Sequence, residues 1–578
     1  MAFKKPNGGS EAELELDHEL PPAENDDQPG ASAPDKSVAD LQAELEKART
    51  ERAAFLDRAA RLQAEFDNFR KRNAKETQDY REYALADALQ SLLPILDSLD
   101  RALKTDAASL KDFHDGIELI DKQFHDALAK LGVQPIPAEG EAFDPTPANI
   151  EGRVIRRTLP DGLKLVMFPK KTRGGTVVAV MNVRFGDEKA LFGKSTAGDM
   201  AGALLMRGTK NKTRQQVQDE TDRLKAQINV NGGANAANAS VRTMEANLAD
   251  SLHFVRELMR EPAFPEAEFE QVRQQRIAGM ESAKSEPTAL ASLELSRHLY
   301  ASYQRGDIHY IPTIEEQIED LKKLTLDDVR KFYGQFYGVG EGEIAISGQF
   351  DPAQMEKLVG ELFGDWKSPA HYQRIANPYE KVAAMNQKVE TPDKQNSLFL
   401  AAMNTRENDE AADYPALLIA GMIFGGSPNS RMFQRIRVKD GLSYGANAGF
   451  SAPAKDDGGR FSASAIAAPQ NVPNVESAFQ EEVAKALKDG FTADEVEKAK
   501  KTLLDERKVG RTEEASIANL LLQRERWGRT MDWDAKLEAA VAAVTVEQVN
   551  AAFRQHVDPA QLSIVKGGDF KKAGVYQQ

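Results

Sequence analysis

The chain has 578 residues, 41% of them apolar and 29% charged, which at roughly 150 residues per folding unit leaves room for about four units. It contains no cysteine, so a disulfide scaffold, a thiolate zinc site, a cysteine nucleophile and a CxxC redox centre are all excluded. The formal net charge of −15 argues against nucleic-acid binding, and no apolar run approaches the roughly 18 residues of a membrane-spanning helix. The charge is uneven. Residues 1–149 hold 18 basic and 31 acidic side chains, whereas the rest holds 57 and 59, so two modules of different composition are expected.

Residues 1–37 are acidic and rich in Pro, Gly, Ala and Ser, a composition that cannot bury enough apolar surface to offset its ordering entropy; a disordered tail is expected. Glu11-Ala12-Glu13-Leu14-Glu15 stands where a secretory signal would place its apolar stretch. From residue 38 the pattern changes. Leu41, Leu45, Ala48, Phe55, Ala59, Leu62, Phe66 and Phe69 fall on alternating steps of four and three, broken only at Arg52. Such a stripe is the seam of a helix pair, and with no Pro or Gly in 38–93 a helix of about 50 residues, roughly 75–80 Å long, is predicted. A helix with that stripe needs a partner; the competing reading is a solvated linker helix. Past Pro94, residues 95–103 and 110–131 are amphipathic and short enough for a helical bundle, closed at Gly132.

Three separated stretches in this region, in order, resemble the GrpE family, nucleotide-exchange factors of DnaK-type chaperones. They are Arg61-Leu62-Gln63-Ala64-Glu65-Phe66-Asp67-Asn68-Phe69-Arg70-Lys71-Arg72, Leu92-Leu93-Pro94-Ile95-Leu96-Asp97, and Gly116-Ile117-Glu118 through Gly140-Glu141-Ala142-Phe143-Asp144-Pro145. The resemblance covers about 38–145. It implies a cytoplasmic, stress-response co-chaperone that forms a homodimer through the long helix, with Leu41, Leu45, Phe55, Leu62, Phe66 and Phe69 at the dimer seam. After Pro145 comes Thr146-Pro147-Ala148-Asn149 in place of the family's His-Glu-Ala-Val segment and small β-domain. In the family that β-domain makes much of the contact that opens the chaperone's nucleotide cleft, whereas dimerisation resides in the helix.

Residues 154–572 read as mixed α/β. Residues 163–169 and 176–185 are predicted to pair around the turn Lys170-Lys171-Thr172-Arg173-Gly174-Gly175, and a further strand is predicted at 343–347. The chain then repeats itself. Leu324-Thr325-Leu326-Asp327-Asp328-Val329 recurs as Val544-Thr545-Val546-Glu547-Gln548-Val549, and Gly348-Gln349-Phe350 as Gly568-Asp569-Phe570, both offset by 220; residues 264–270 recur at 491–497, offset by 227. A period this long means duplicated domains rather than a solenoid.

The duplicated unit resembles the pitrilysin/insulinase (inverzincin) metallopeptidases, on Leu205-Met206-Arg207-Gly208-Thr209, Asn231-Gly232-Gly233, and Arg431-Met432-Phe433 through Gly441-Leu442-Ser443-Tyr444. The resemblance implies a clam-shell unit in which an H-x-x-E-H helix supplies two zinc ligands and the general base. Those five positions are Asp199-Met200-Ala201-Gly202-Ala203. Asp199 and Ala203 replace the two His and Gly202 replaces the Glu; the third ligand position falls near Ala278-Gly279, with Glu281 close by. No metal or other cofactor is therefore expected, and the chain is not expected to be an enzyme by itself. Arg437 and Tyr444 match the family's Arg–Tyr pair, which the resemblance assigns to substrate binding: a guanidinium fork for a peptide carbonyl, and a phenol for the developing oxyanion. A structural Arg beside a strand-edge Tyr is the alternative.

The eight His include no pair at i, i+3 or i, i+4, and His298 and His309, with Asp307 near, read as ordinary histidines. Gly338-x-Gly340-x-Gly342 lacks the strand-to-helix context of a phosphate loop, and no G-x-S-x-G elbow occurs. The predicted fold is multidomain: a long paired α-helix with a helical bundle, then two duplicated α+β domains with mixed sheets. The predicted organisation is a tail at 1–37, the GrpE-like part at 38–145, a junction at 146–153, α+β halves at 154–365 and 397–572, and a linker at 366–396. Three functions stay open. The chain is a GrpE-like dimeric co-chaperone with a DnaK-type partner carrying a non-catalytic peptidase-like body; or an inactive subunit giving Arg437 and Tyr444 to a zinc-bearing chain that cleaves peptides; or a chance fusion without joint function.

Overall fold

The structure is a computed structural model that describes residues 143–576 and the helical positions 93, 98, 116, 117, 120–124, 126 and 127. The expected tail and the long helix with its seam, Leu41, Leu45, Phe55, Leu62, Phe66 and Phe69 included, lie outside the described residues. The chain divides into two compact units, Met1–Gly140 and Glu141–Gln578. In the first unit every described position is helical, in line with the predicted bundle.

The second unit contains two sheets. The first has six strands, β1 (Ile155–Thr158), β2 (Lys164–Pro169), β3 (Thr176–Arg184), β4 (Gln227–Gly232), β5 (Ala236–Met244) and β6 (Glu341–Gly348), in the order β1-β2-β6-β3-β5-β4. The second has β7 (Asn386–Glu390), β8 (Ser397–Arg406), β9 (Ser443–Ser451), β10 (Gly458–Ala467) and β11 (Ser563–Gly568), in the order β7-β11-β8-β10-β9. Leaving out β1, the two orders superpose strand for strand. β2–β6 and β7–β11 are the parallel pairs, and the other pairings are antiparallel. The repeat extends to side chains. Thr325 and Thr545 each close a capping box on the helices Leu326–Phe336 and Val546–His556. Phe264 meets Tyr333 edge-on at 5.2 Å, and their counterparts Phe491 and Phe553 do so at the same distance.

One predicted pairing is corrected. β2 and β3 do not form a hairpin, because β6 lies between them, parallel to β2 and antiparallel to β3. The connection steps over the end of β6: Lys170 N–H donates to Gly348 O at 2.8 Å, and Gly174 and Gly175 adopt positive φ. A local turn signal carries no information about a strand that arrives from the far end of the same half. β6 takes the central place because nearly all of it is buried, and only a position between two strands satisfies both of its edges. β7 lies inside the segment 366–396 that the sequence marks as a linker.

The strands β2, β3 and β6 are covered on both faces, and β2 and most of β3 are accordingly apolar without alternation, whereas β4, β5, β9 and β10 alternate buried with exposed or partly exposed positions. Leu165, Met167, Val177, Ala179 and Ile346 pack on the half's own helices. Val166, Phe168, Val178 and Val180 face the opposite way, against Ile517, Ala518 and Leu521 of the helix Glu514–Arg526, which comes from the second half. The second sheet receives the reciprocal element. The helix Pro287–Leu299 lays Ala291, Leu295 and Leu299 on Leu398, Ala402 and Val565.

Residues 143–153 belong to this packing as well. Phe143 stacks edge-on against Phe168 at 6.0 Å, Ile150 is fully buried, and the buried Arg511 donates from Nε to Pro145 O at 2.7 Å.

Candidate functional site

The five positions of the zinc motif lie on the helix Ser195–Leu204, which buries Ala197, Gly198, Met200, Ala201, Gly202 and Leu204. Gly202, at the position of the general base, touches the end of β4. A Cβ added there would sit 2.1 Å from Gly232 O and 2.5 Å from Gly232 Cα. At Gly198 a Cβ would come within 2.8 Å of Ala234 Cα. The helix therefore approaches the strand end backbone to backbone, and that contact occupies the volume a glutamate would need. The ring of Tyr337 closes the floor, and its hydroxyl is buried without a hydrogen-bond partner.

Asp199 is exposed by area at the edge of this contact. Burial of its surroundings pushes its carboxyl above the usual range, and Arg276 opposes the shift. Arg276, two residues before Ala278, donates to Asp199 O at 3.1 Å, so a cation stands close to the place of the third ligand. Glu281 is drawn away into an ion pair with Lys284 at 2.9 Å. The zinc ion that the resemblance implies does not fit these residues: one carboxylate, a glycine pressed on backbone, an alanine and an arginine.

Arg437 and Tyr444 are brought together. The short helix Arg431–Phe433 runs on into a π-helical turn, Gln434–Lys439, a widened geometry found at many functional sites. The Arg437 guanidinium lies 5.2 Å from the Phe433 ring centre and donates to the main-chain carbonyl of Tyr444. The Tyr444 ring projects into solvent at 84% exposure; Val438 of the π-turn and Ile466, which pairs with Gly445, are also exposed, at 61% and 47%. Arg431, from the same motif, has a structural task. It forms a bidentate pair with Glu495 at 2.7 and 2.8 Å and caps Gly490 O at 2.8 Å.

A third constellation escapes sequence inspection. Glu407 follows β8, Asp413 precedes the helix Tyr414–Phe424, and His556 ends the helix Val546–His556. His556 Nε2 lies 3.1 Å from Glu407 Oε2 and 2.8 Å from Asp413 Oδ2. Burial and the neighbouring Asp413 raise the Glu407 carboxyl, against the pull of His556. The carboxylates and the imidazole are about 150 residues apart along the chain, so no local spacing could announce them.

Comparison with known proteins finds two families along the chain. The GrpE family model matches residues 27–162, running past Pro145, and the model described as the peptidase M16 inactive domain matches residues 323–503. The chain is 42% identical over 142 residues to protein GrpE of Acidobacterium capsulatum, covering 25% of this chain and 67% of that one. It is 41% identical over 103 residues to protein GrpE of Oceanobacillus iheyensis (18% and 54%), and 46% over 89 residues to that of Thermus thermophilus (15% and 50%). Thus the chain spans between half and two thirds of the length of these relatives. Among solved structures, a peptidase M16 inactive domain from Pseudomonas fluorescens aligns with a TM-score of 0.62 at 23% identity, over 72% of this chain and 97% of its own. A protease from Helicobacter pylori aligns with the same TM-score at 18% identity, over 72% and 98%. At these identities the likeness is one of fold. Through its N-terminal part the chain belongs to the GrpE family, and that part is joined to an M16 inactive domain.

Proposed function

We propose that the chain is a dimeric GrpE-type co-chaperone, acting in the cytoplasm on a DnaK-type chaperone and carrying a non-catalytic M16 unit as a binding body. The observation that carries this reading is the 42% identity to a GrpE protein over 142 residues. Leu93, Ile117 and Phe124, large apolar side chains left exposed on the first unit, accord with a face that a second copy covers. The test is release of labelled ADP from a DnaK-type chaperone. Acceleration by the full chain is expected, and a rate equal to the blank sinks the proposal. Sedimentation supplies the dimer test, with Leu62→Glu and Phe66→Glu together expected to give monomers.

A second reading is favoured by one observation, Arg437 holding the main chain at Tyr444 while the Tyr444 ring stands 84% exposed to solvent. In it the M16 unit docks on a zinc-bearing M16 chain and lends it both residues. The chain alone then hydrolyses no peptide. Activity arises on mixing with a chain that bears H-x-x-E-H, and Arg437→Ala or Tyr444→Phe lowers it. Activity indifferent to both substitutions contradicts this reading.

A further inference from the structure

We infer that Glu407, Asp413 and His556 form a site for one divalent metal ion of the zinc class, in the half of the M16 unit that carries no zinc-motif helix. Among the described residues they are the one group of three metal-ligating side chains whose ligand atoms all lie within 4.8 Å of one another. Two carboxylate oxygens converge on a single nitrogen, His556 Nε2, at 2.8 and 3.1 Å. A neutral imidazole offers one N–H there, and one N–H makes one linear hydrogen bond. The second carboxylate is left facing the first. A metal ion in place of that proton serves all three ligands, because it offers several coordination directions.

The dimensions agree. Ligand atoms around a tetrahedral zinc with bonds of about 2.0–2.2 Å lie about 3.4 Å apart, so the Glu407 and Asp413 oxygens, at 3.1 and 2.8 Å from His556 Nε2, need to draw back by roughly half an ångström or less each.

Two further features point to a ligand. Glu407 is 4% exposed, and its other oxygen, Oε1, is buried with no hydrogen-bond partner, free to act as a second donor to the ion. Asp413 occupies the N-cap position of its helix, yet its side chain makes no capping hydrogen bond and is directed at His556 instead. Arg529 is committed elsewhere, pairing with Asp409 at 2.5 Å and with Glu410 at 2.8 Å. One imidazole and two carboxylates suit zinc, and its transition-metal neighbours, better than calcium or magnesium, which take oxygen ligands. A bound ion fastens the end of β8, the start of one helix and the end of another, and leaves a fourth position for water.

The test uses the full chain, stripped with a chelator, titrated with Zn2+ by calorimetry and with Co2+ by visible absorption. One equivalent of Zn2+ per chain is expected, together with the intense bands of four- or five-coordinate Co2+. Asp413→Asn, nearly isosteric and at a partly exposed position, is expected to weaken binding at least tenfold while leaving the unfolding midpoint of the metal-free protein within a degree or two. His556→Ala is expected to abolish binding; if that variant fails to fold, Asp413→Asn alone decides. Absence of a saturable equivalent, or an equivalent held as tightly by Asp413→Asn as by the unaltered chain, overturns the inference.

Discussion

Alanine at Gly202 should destabilise the M16 unit, while the same change at Gly279 should stabilise it. Both glycines are helical, so each replacement gains up to about 1 kcal/mol of helix propensity. At Gly279 a Cβ meets nothing within 4 Å, and that gain stands alone. At Gly202 the Cβ lies 2.1 Å from Gly232 O, about 1 Å inside contact distance, and the obstacle is backbone that no rotamer change can move. Overpacking of this kind costs about 1–3 kcal/mol, at the upper end when both sides are backbone. The net expectation is a loss of about 2 kcal/mol at Gly202 against a gain of up to about 1 at Gly279. With an unfolding entropy of about 2.1 cal/mol/K per residue, a unit of roughly 430 residues shifts its midpoint by about 1 °C per kcal/mol, so calorimetry must resolve about 2 °C down and 1 °C up. Equal shifts of the same sign would refute the reasoning. The functional corollary is steric: a glutamate at Gly202 requires the helix and β4 to move apart first.

Phe143→Ala removes an edge-on contact with Phe168 and a ring that Lys170 approaches to 4.7 Å; a loss of about 1.5–3 kcal/mol is expected by thermal unfolding, and no change would mean the GrpE-derived segment is a passive tether. Burial alone would raise the Glu495 carboxyl, but Arg431 and the Thr492 N–H outweigh it and hold it at about 2, below its ordinary 4.5. That stabilisation is present above about pH 4.5 and is lost as pH falls toward 2, so the midpoint difference between the unaltered chain and Glu495→Gln should shrink across that window. A difference independent of pH contradicts it. Tyr444→Phe and Tyr444→Ala, at a side chain 84% exposed, should leave the unfolding free energy within about 0.5 kcal/mol, which separates any loss of assembled activity from loss of folding.

The duplication was legible because its marks are local: capping boxes at Thr325 and Thr545 and the Phe264 and Phe491 helix entries are short strings repeated at fixed offsets. The degenerate motif was legible for the same reason, since one helix holds all its positions. Sequence could not reveal that Gly202 is required by Gly232, because that contact joins a helix to the end of a strand. The position of β6 between β2 and β3, and the meeting of Glu407 with His556, are likewise long-range pairings. Residues 146–153 read as a junction, yet Pro147 and Ile150 are buried, Ile150 in a cluster with Ile517 and Met531 far along the chain.

Each half of the M16 unit is roofed by a helix that the other half lends it. Swinging the halves apart would uncover Ile517 and Leu521 on one side and Leu295 and Leu299 on the other. At about 1.5–3 kcal/mol per buried aliphatic side chain, that exposure costs on the order of 10 kcal/mol. A hinge inside this chain is therefore locked, and any chamber that opens and shuts around a peptide must do so at a seam between separate chains.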